Sequence, residues 1–192
     1  ADPTAVRQTL LPAGRTGTDP TLLLQFDAGG ERHALQLRAN AGLAGASPPL
    51  PPTTAQAFQG RVEGYPNSWA ALTRIEGRWT GIWYDGAEYF GVDSAASLAV
   101  TPSTALMVYR LRDLVWDEEP SLEDDVQDPR NAAQLAALPL SLLPPEQPSR
   151  QLAIAVVADA ALAQRHGDDL EANLLAQLNV IDGIFTNQLG VR

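Results

Sequence analysis

Two histidines, no cysteine and no lysine bound the chemistry open to this chain. A zinc-protease centre of the form HExxHxxGxxH takes three imidazole ligands, two of them one helical turn apart. It also takes a glutamate that polarises the bound water. His33 and His166 stand 133 positions apart, and neither begins a Glu-x-x-His. The chain cannot build that centre. Disulfides, thiol nucleophiles and cysteine-ligated metals are excluded by composition. No serine, histidine and aspartate set is supported by surrounding motifs, and Gly77 to Gly81 (GRWTG) lacks the Lys-Ser/Thr of a phosphate loop. His33 shares a strand face with Leu35 and Leu37 and reads as a packed or edge histidine, whereas His166 precedes a helix and reads as exposed. Seven acids crowd 117–128: Asp117, Glu118, Glu119, Glu123, Asp124, Asp125 and Asp128. Their composition fits a solvated acidic connector, and their spacing lacks the Asp-x-Asp-x-Asp-Gly pattern of a calcium loop. No cofactor is expected in the chain itself.

The elements that must position these residues follow from pattern. The chain has 192 residues, 45% of them hydrophobic, enough for one sizeable core. A net charge of −10 and a pI near 4.5 argue against nucleic acid and anionic membranes as partners. Neither a leader-like start nor an apolar run of about 20 residues is present. Residues 1–20, rich in Thr, Pro and Gly, read as an extended lead-in. Residues 22–27 read as an apolar strand and residues 32–39 as an alternating one, around an Ala-Gly-Gly-Glu turn. Prolines at 48, 49, 51 and 52 make 45–54 a loop. Residues 58–92 predict three or four short strands, with turns at Pro66-Asn67, Glu76-Gly77 and Asp85-Gly86. Residues 106–114 predict another strand. Trp69, Trp79, Trp83, Tyr84, Tyr89 and Phe90 mostly fill a β core on this reading; the alternative is a platform for glycan or protein. A short helix over 131–138 and a Pro-rich linker over 144–149 follow. From Arg150 the texture changes. Residues 152–157 (LAIAVV) read as a strand buried on both faces. Residues 168–185 read as an amphipathic helix with a Leu170, Leu174, Leu178, Ile181, Phe185 stripe and an Asp168/Glu171 capping box. That strand and helix cannot bury themselves alone.

Gln59-Gly60-Arg61-Val62-Glu63-Gly64-Tyr65-Pro66-Asn67-Ser68 resembles the pro-region signature of reprolysin-like metalloproteases, close to YQGHVEGYPNS. LLLQFDAGGERHALQLRAN before it is similar to the hairpin of those pro-regions, and Tyr109-Arg110-Leu111 to the segment after. The tail from Leu152 resembles the opening of a reprolysin catalytic domain at Val156, Val157, Ala158, Asp159, Gly167, Asp168 or Asp169, Leu170, Asn179, Val180, Asp182, Gly183 and Phe185. The resemblance implies an α+β chain in four parts. These are the lead-in over 1–20, a mainly antiparallel β pro-domain over 21–116, an acidic and Pro-rich connector over 117–149, and the first strand and helix of a metzincin α/β domain over 150–192. It implies a secreted or periplasmic precursor, with zinc held by a catalytic domain that is also its partner. The implied function is to help that domain fold and keep it latent by covering its cleft. Gly60, Val62, Glu63, Gly64, Tyr65, Pro66, Asn67 and Ser68 would then be structural. Without cysteine, latency falls to a carboxylate from Asp117, Glu118, Glu119, Glu123, Asp124 or Asp125. Arg150 is the candidate processing site. A calcium-binding Glu of related catalytic domains is Ala153 here. A free-standing β-rich binding module is the alternative.

Overall fold

Apolar residues recur at every second position through successive segments, and each such segment becomes a strand. The computed structural model describes residues 5–11, 21–28, 31–44, 55–95, 105–114, 154 and 156–190. Eight strands run β1 (Ala5–Leu11), β2 (Thr21–Ala28), β3 (Glu31–Ala39), β4 (Gln56–Val62), β5 (Trp69–Ile75), β6 (Arg78–Tyr84), β7 (Tyr89–Ser94) and β8 (Leu106–Arg110). They form one antiparallel meander whose order in space is the order in sequence. With three α-helices among the described residues, α1 (Ala41–Ala44), α2 (Ala160–His166) and α3 (Leu170–Ile184), the class is broadly α+β. None of the described helices is long and apolar enough to cross a membrane.

Close pairs at the strand ends set the register. Ala28 pairs with Glu31 and Ile75 with Arg78. Between the latter, Glu76 (φ 50°) and Gly77 (φ 83°) are both left-handed, the turn whose twist matches paired strands. Twist curls the sheet until β8 nears β2. The enclosed face carries Leu22, Leu24, Phe26, Leu35, Leu37, Val62, Leu72, Trp79, Trp83, Phe90 and Val92 as one core. Phe26, Trp83 and Phe90 stack in a row, Trp83 lying 5.6 Å from Phe26 and 5.5 Å from Phe90. Of the six aromatics expected mostly in the core, Trp69, Trp79, Trp83 and Phe90 are buried, while Tyr84 and Tyr89 are half-buried.

Strand β5 is buried on both faces. Ala70 and Leu72 enter the curl; Trp69, Ala71, Thr73 and Ile75 face outward and are covered by α3. The helix is fitted closely: a Cβ on Gly183 would lie 2.8 Å from the Ala71 Cβ and 3.1 Å from the Trp69 ring.

Three expectations are corrected here. The lead-in over 1–20 contains β1, which pairs from Ala5 with Asp27 to Leu11 with Thr21 and so covers an edge that β2 would otherwise expose. The strand expected over 152–157 does not form among its described residues. Ile154, Val156 and Val157 are irregular and 50%, 44% and 89% exposed, because a strand buried on both faces needs neighbours that no described strand supplies. The helix expected over 168–185 forms as α3, but with a different cap and a different buried face, and a separate short α2 precedes it. Asp159 caps α2 by accepting from the Leu162 amide at 2.7 Å, Gly167 (φ 51°) breaks the path, and α3 begins without a side-chain cap. Its buried face is Ala172, Leu175, Ala176, Asn179 and Gly183, while Ile181 of the expected stripe is exposed and Leu170, Leu174, Leu178 and Phe185 are half-buried. Close approach to β5 selects the small residues over the large ones.

Candidate functional site

The sheet curl is open at one end, and the segments meeting there build a cleft of about 480 Å³. The start of β3 supplies Glu31, Arg32 and His33, and the end of β4 with the loop after it supplies Val62 and Tyr65. The β6–β7 turn contributes Asp85, Glu88 and Phe90; Arg110 and Arg112 close the last side.

His33 is the innermost polar group. It is 8% exposed, pairs across the ladder with Phe26, and packs 4.7 Å from the Phe90 ring and 5.4 Å from the Trp83 ring, centroid to centroid. Burial pushes its pKa below the usual value. Glu31 and Asp85 pull the other way, and Arg110 adds to the downward shift. Its imidazole makes no hydrogen bond to any described residue. The guanidinium of half-buried Arg110 likewise has no ion-pair or hydrogen-bond partner among the described residues. The neighbouring arginines differ: Arg112 holds Glu88 at 2.8 Å, and Arg32 holds Asp27 at 2.8 Å. Asp85 is occupied by its turn, its Oδ1 accepting from the Ala87 and Glu88 amides at 2.8 Å each.

Of the signature residues, Val62 and Tyr65 line the cleft. Gly60 sits where a Cβ would lie 1.9 Å from the Gln36 carbonyl oxygen, so only glycine lets β3 and β4 pair there. Gly64 (φ 82°) turns the chain toward Pro66-Asn67. Ser68 ties the loop: its hydroxyl accepts from the Val62 amide at 2.8 Å and donates to the Tyr65 carbonyl at 2.5 Å. Glu63 accepts from the Gln36 side chain at 3.3 Å rather than pairing with Arg61 or Arg74. Tyr65, 54% exposed, stands at the rim. Asp117, Glu118, Glu119, Glu123, Asp124, Asp125 and Arg150, with the helix over 131–138, lie outside the described residues. No group of three or more His, Asp or Glu able to hold a metal occurs among the described residues.

A second constellation lies on the outer face of the sheet. Asn179 of α3 is fully buried. Its amide donates to the Leu72 carbonyl (2.9 Å), the Phe58 carbonyl (3.1 Å) and Thr73 Oγ1 (3.3 Å), while its oxygen accepts from Asn40 Nδ2 at 2.9 Å. Asp182, one turn on, accepts from Asn40 Nδ2 at 3.0 Å and Gln59 Nε2 at 2.6 Å. Four residues on α3, β4 and the end of β3 thus clamp helix to sheet. Sequence reasoning missed this clamp, since an amphipathic stripe is sought among large apolar residues. Two polar residues three apart, flanked by Ala176 and Gly183, were the available signal. The Arg110–His33 juxtaposition was also missed, because it joins strands far apart in sequence.

No family model, curated protein or solved structure matches this chain.

Proposed function

We propose that this chain is the pro-region of a secreted or periplasmic zinc metalloendopeptidase of the reprolysin type, ending in the first elements of the catalytic domain. The observation that carries the reading is the docking of α3. The segment resembling the start of a catalytic domain is held on the sheet, by Asn179 on β5 and by Asp182 on Asn40 and Gln59, while Ile154, Val156 and Val157 before it remain exposed. A β scaffold that fixes the first helix of another fold, and leaves a strand-forming apolar run uncovered, suits a folding template. The acidic connector over 117–149 joins the two parts. Latency on this reading is steric: the scaffold covers the cleft of its own catalytic domain, and a carboxylate of the acidic connector offers a ligand to that domain's zinc. Neither nucleic acid nor membrane is a partner. Cleavage at Arg150 would separate scaffold from enzyme.

Refolding tests the folding role. A denatured reprolysin-like catalytic domain is diluted from denaturant with and without equimolar chain, and active enzyme is counted after the chain is removed. The expected result is a several-fold rise in yield that an unrelated acidic β protein does not give. Equal yields with both proteins would defeat the reading.

A further inference from the structure

We infer that the cleft between the start of β3 and the β6–β7 turn is a binding site for a monocarboxylate with an apolar body, received by Arg110 and His33. This does not rest on the pro-region reading. Three observations converge on it.

First, the cleft is preformed, and its 480 Å³ falls within the range of small-molecule and peptide-end sites. Second, two donors in it are unspent. Arg110 has no partner among the described residues, and His33 is more than nine-tenths buried, lines the cleft and makes no hydrogen bond to a described residue. Buried polar groups ordinarily find partners, and a planar guanidinium accepts a carboxylate through two parallel hydrogen bonds. Third, the surroundings select the rest of the ligand. Phe90 and Val62 give an apolar floor, and the exposed Tyr65 ring gives a rim for an alkyl or aryl group. The charges facing His33 set the ligand's own charge. Glu88 is neutralised by Arg112 and Arg32 by Asp27, while Glu31 and Asp85 leave negative potential beside the site. One negative charge satisfies Arg110; a second would meet these two carboxylates. Dianions are therefore disfavoured.

Binding also has a pH signature. A bound carboxylate favours the charged imidazole, so affinity rises as pH falls toward the His33 pKa and drops again once the ligand itself protonates.

The test is calorimetric titration of the intact chain with 3-phenylpropionate and with its uncharged amide. His33 is followed by NMR in the same samples. The acid is expected to bind at millimolar Kd or better and to shift the His33 resonances, while the amide binds at least about tenfold more weakly. Arg110→Gln should erase the difference between acid and amide. Arg110→Lys, which keeps the charge and loses the fork, should retain only part of it. His33→Gln should flatten the pH dependence. An N-acetylated dipeptide with a free C-terminus then identifies the source of the carboxylate: tighter than 3-phenylpropionate means a protein C-terminus, weaker means a free small acid. Equal binding of acid and amide, no binding up to about 10 mM, or unchanged selectivity in a folded Arg110→Gln overturns the assignment. The acid–amide comparison needs no variant and stands even if a substitution fails to fold.

Discussion

Replacing Asn179 by Ala should release α3 from the sheet while leaving the sheet folded. Asn179 makes four hydrogen bonds across the helix–sheet contact, two of them to the Phe58 and Leu72 carbonyls. Each is worth about 0.5–1.5 kcal/mol net, and shared partners keep the sum below simple addition, so the loss comes to about 2–4 kcal/mol. What remains to hold α3 is the Asp182 carboxylate on Asn40 and Gln59, the close fit of Gly183 on Ala71 and Trp69, and a narrow apolar contact of Ala172, Leu175 and Ala176 with Ala55 and Ile75. The main core inside the curl makes no use of the helix. Hydrogen exchange read residue by residue should therefore show α3 amides losing most of their protection while those of β2 to β7 keep theirs. Asn179→Leu should do no better, because a larger apolar group leaves the same carbonyls facing it without a donor. Exposed Ile181 gives the control, and Ile181→Ala should stay within about 0.5 kcal/mol of the parent. An Asn179→Ala chain with unchanged α3 protection, or an Asn179→Leu chain more stable than the parent, would refute the docking described here.

Other expectations follow from the same geometry. Glu76→Asn or Glu76→Gly should stabilise the chain by about 0.5–1 kcal/mol in denaturant titration, since Glu76 holds a left-handed φ of 50° that those residues accept more cheaply. Gly183→Val should undock α3 as Asn179→Ala does, because its Cβ would lie 2.8 Å from Ala71 and its branches reach further; exchange of α3 amides reads this out. Tyr109 is pushed up to about 12, by burial first and by Asp93 second. Its neutral form thus favours the fold, fully below the unfolded value of about 10 and progressively less as pH climbs toward the folded one, which ultraviolet titration of unfolding follows. His33 has the opposite arrangement. With its folded pKa lowered by burial, its contribution is present above the unfolded value and is lost as pH falls through the folded one; His33→Phe should lessen that acid sensitivity.

What the sequence discloses here is local. Hairpins at 28–31, 75–78 and 84–89 follow from Gly-containing turns between alternating runs, and burial of Leu35, Leu37 and Trp83 follows from period two. The helix face was not legible. Hydrophobic weight favours Leu174 and Leu178, but the sheet admits only residues small enough for contact at Ala71 and Trp69, and then needs a donor for the Leu72 carbonyl. The run LAIAVV carries the signal of a central strand, and nothing local says whether neighbouring strands exist. Of the candidate site, His33 stood out as a lone imidazole on an apolar face. Its meeting with Arg110, 77 positions away, is a product of sheet curl.

The central claim, that this β scaffold guards a metalloendopeptidase, is tested most directly by inhibition. A fixed concentration of a mature reprolysin-like catalytic domain from the same source is titrated with the purified chain, and cleavage of a fluorogenic peptide is followed to equilibrium. The account predicts saturable inhibition at micromolar concentration or below, competitive with the peptide. Full activity at about 100 µM chain, a level that would expose any Kd tighter than about 5 kcal/mol of binding free energy, would contradict it.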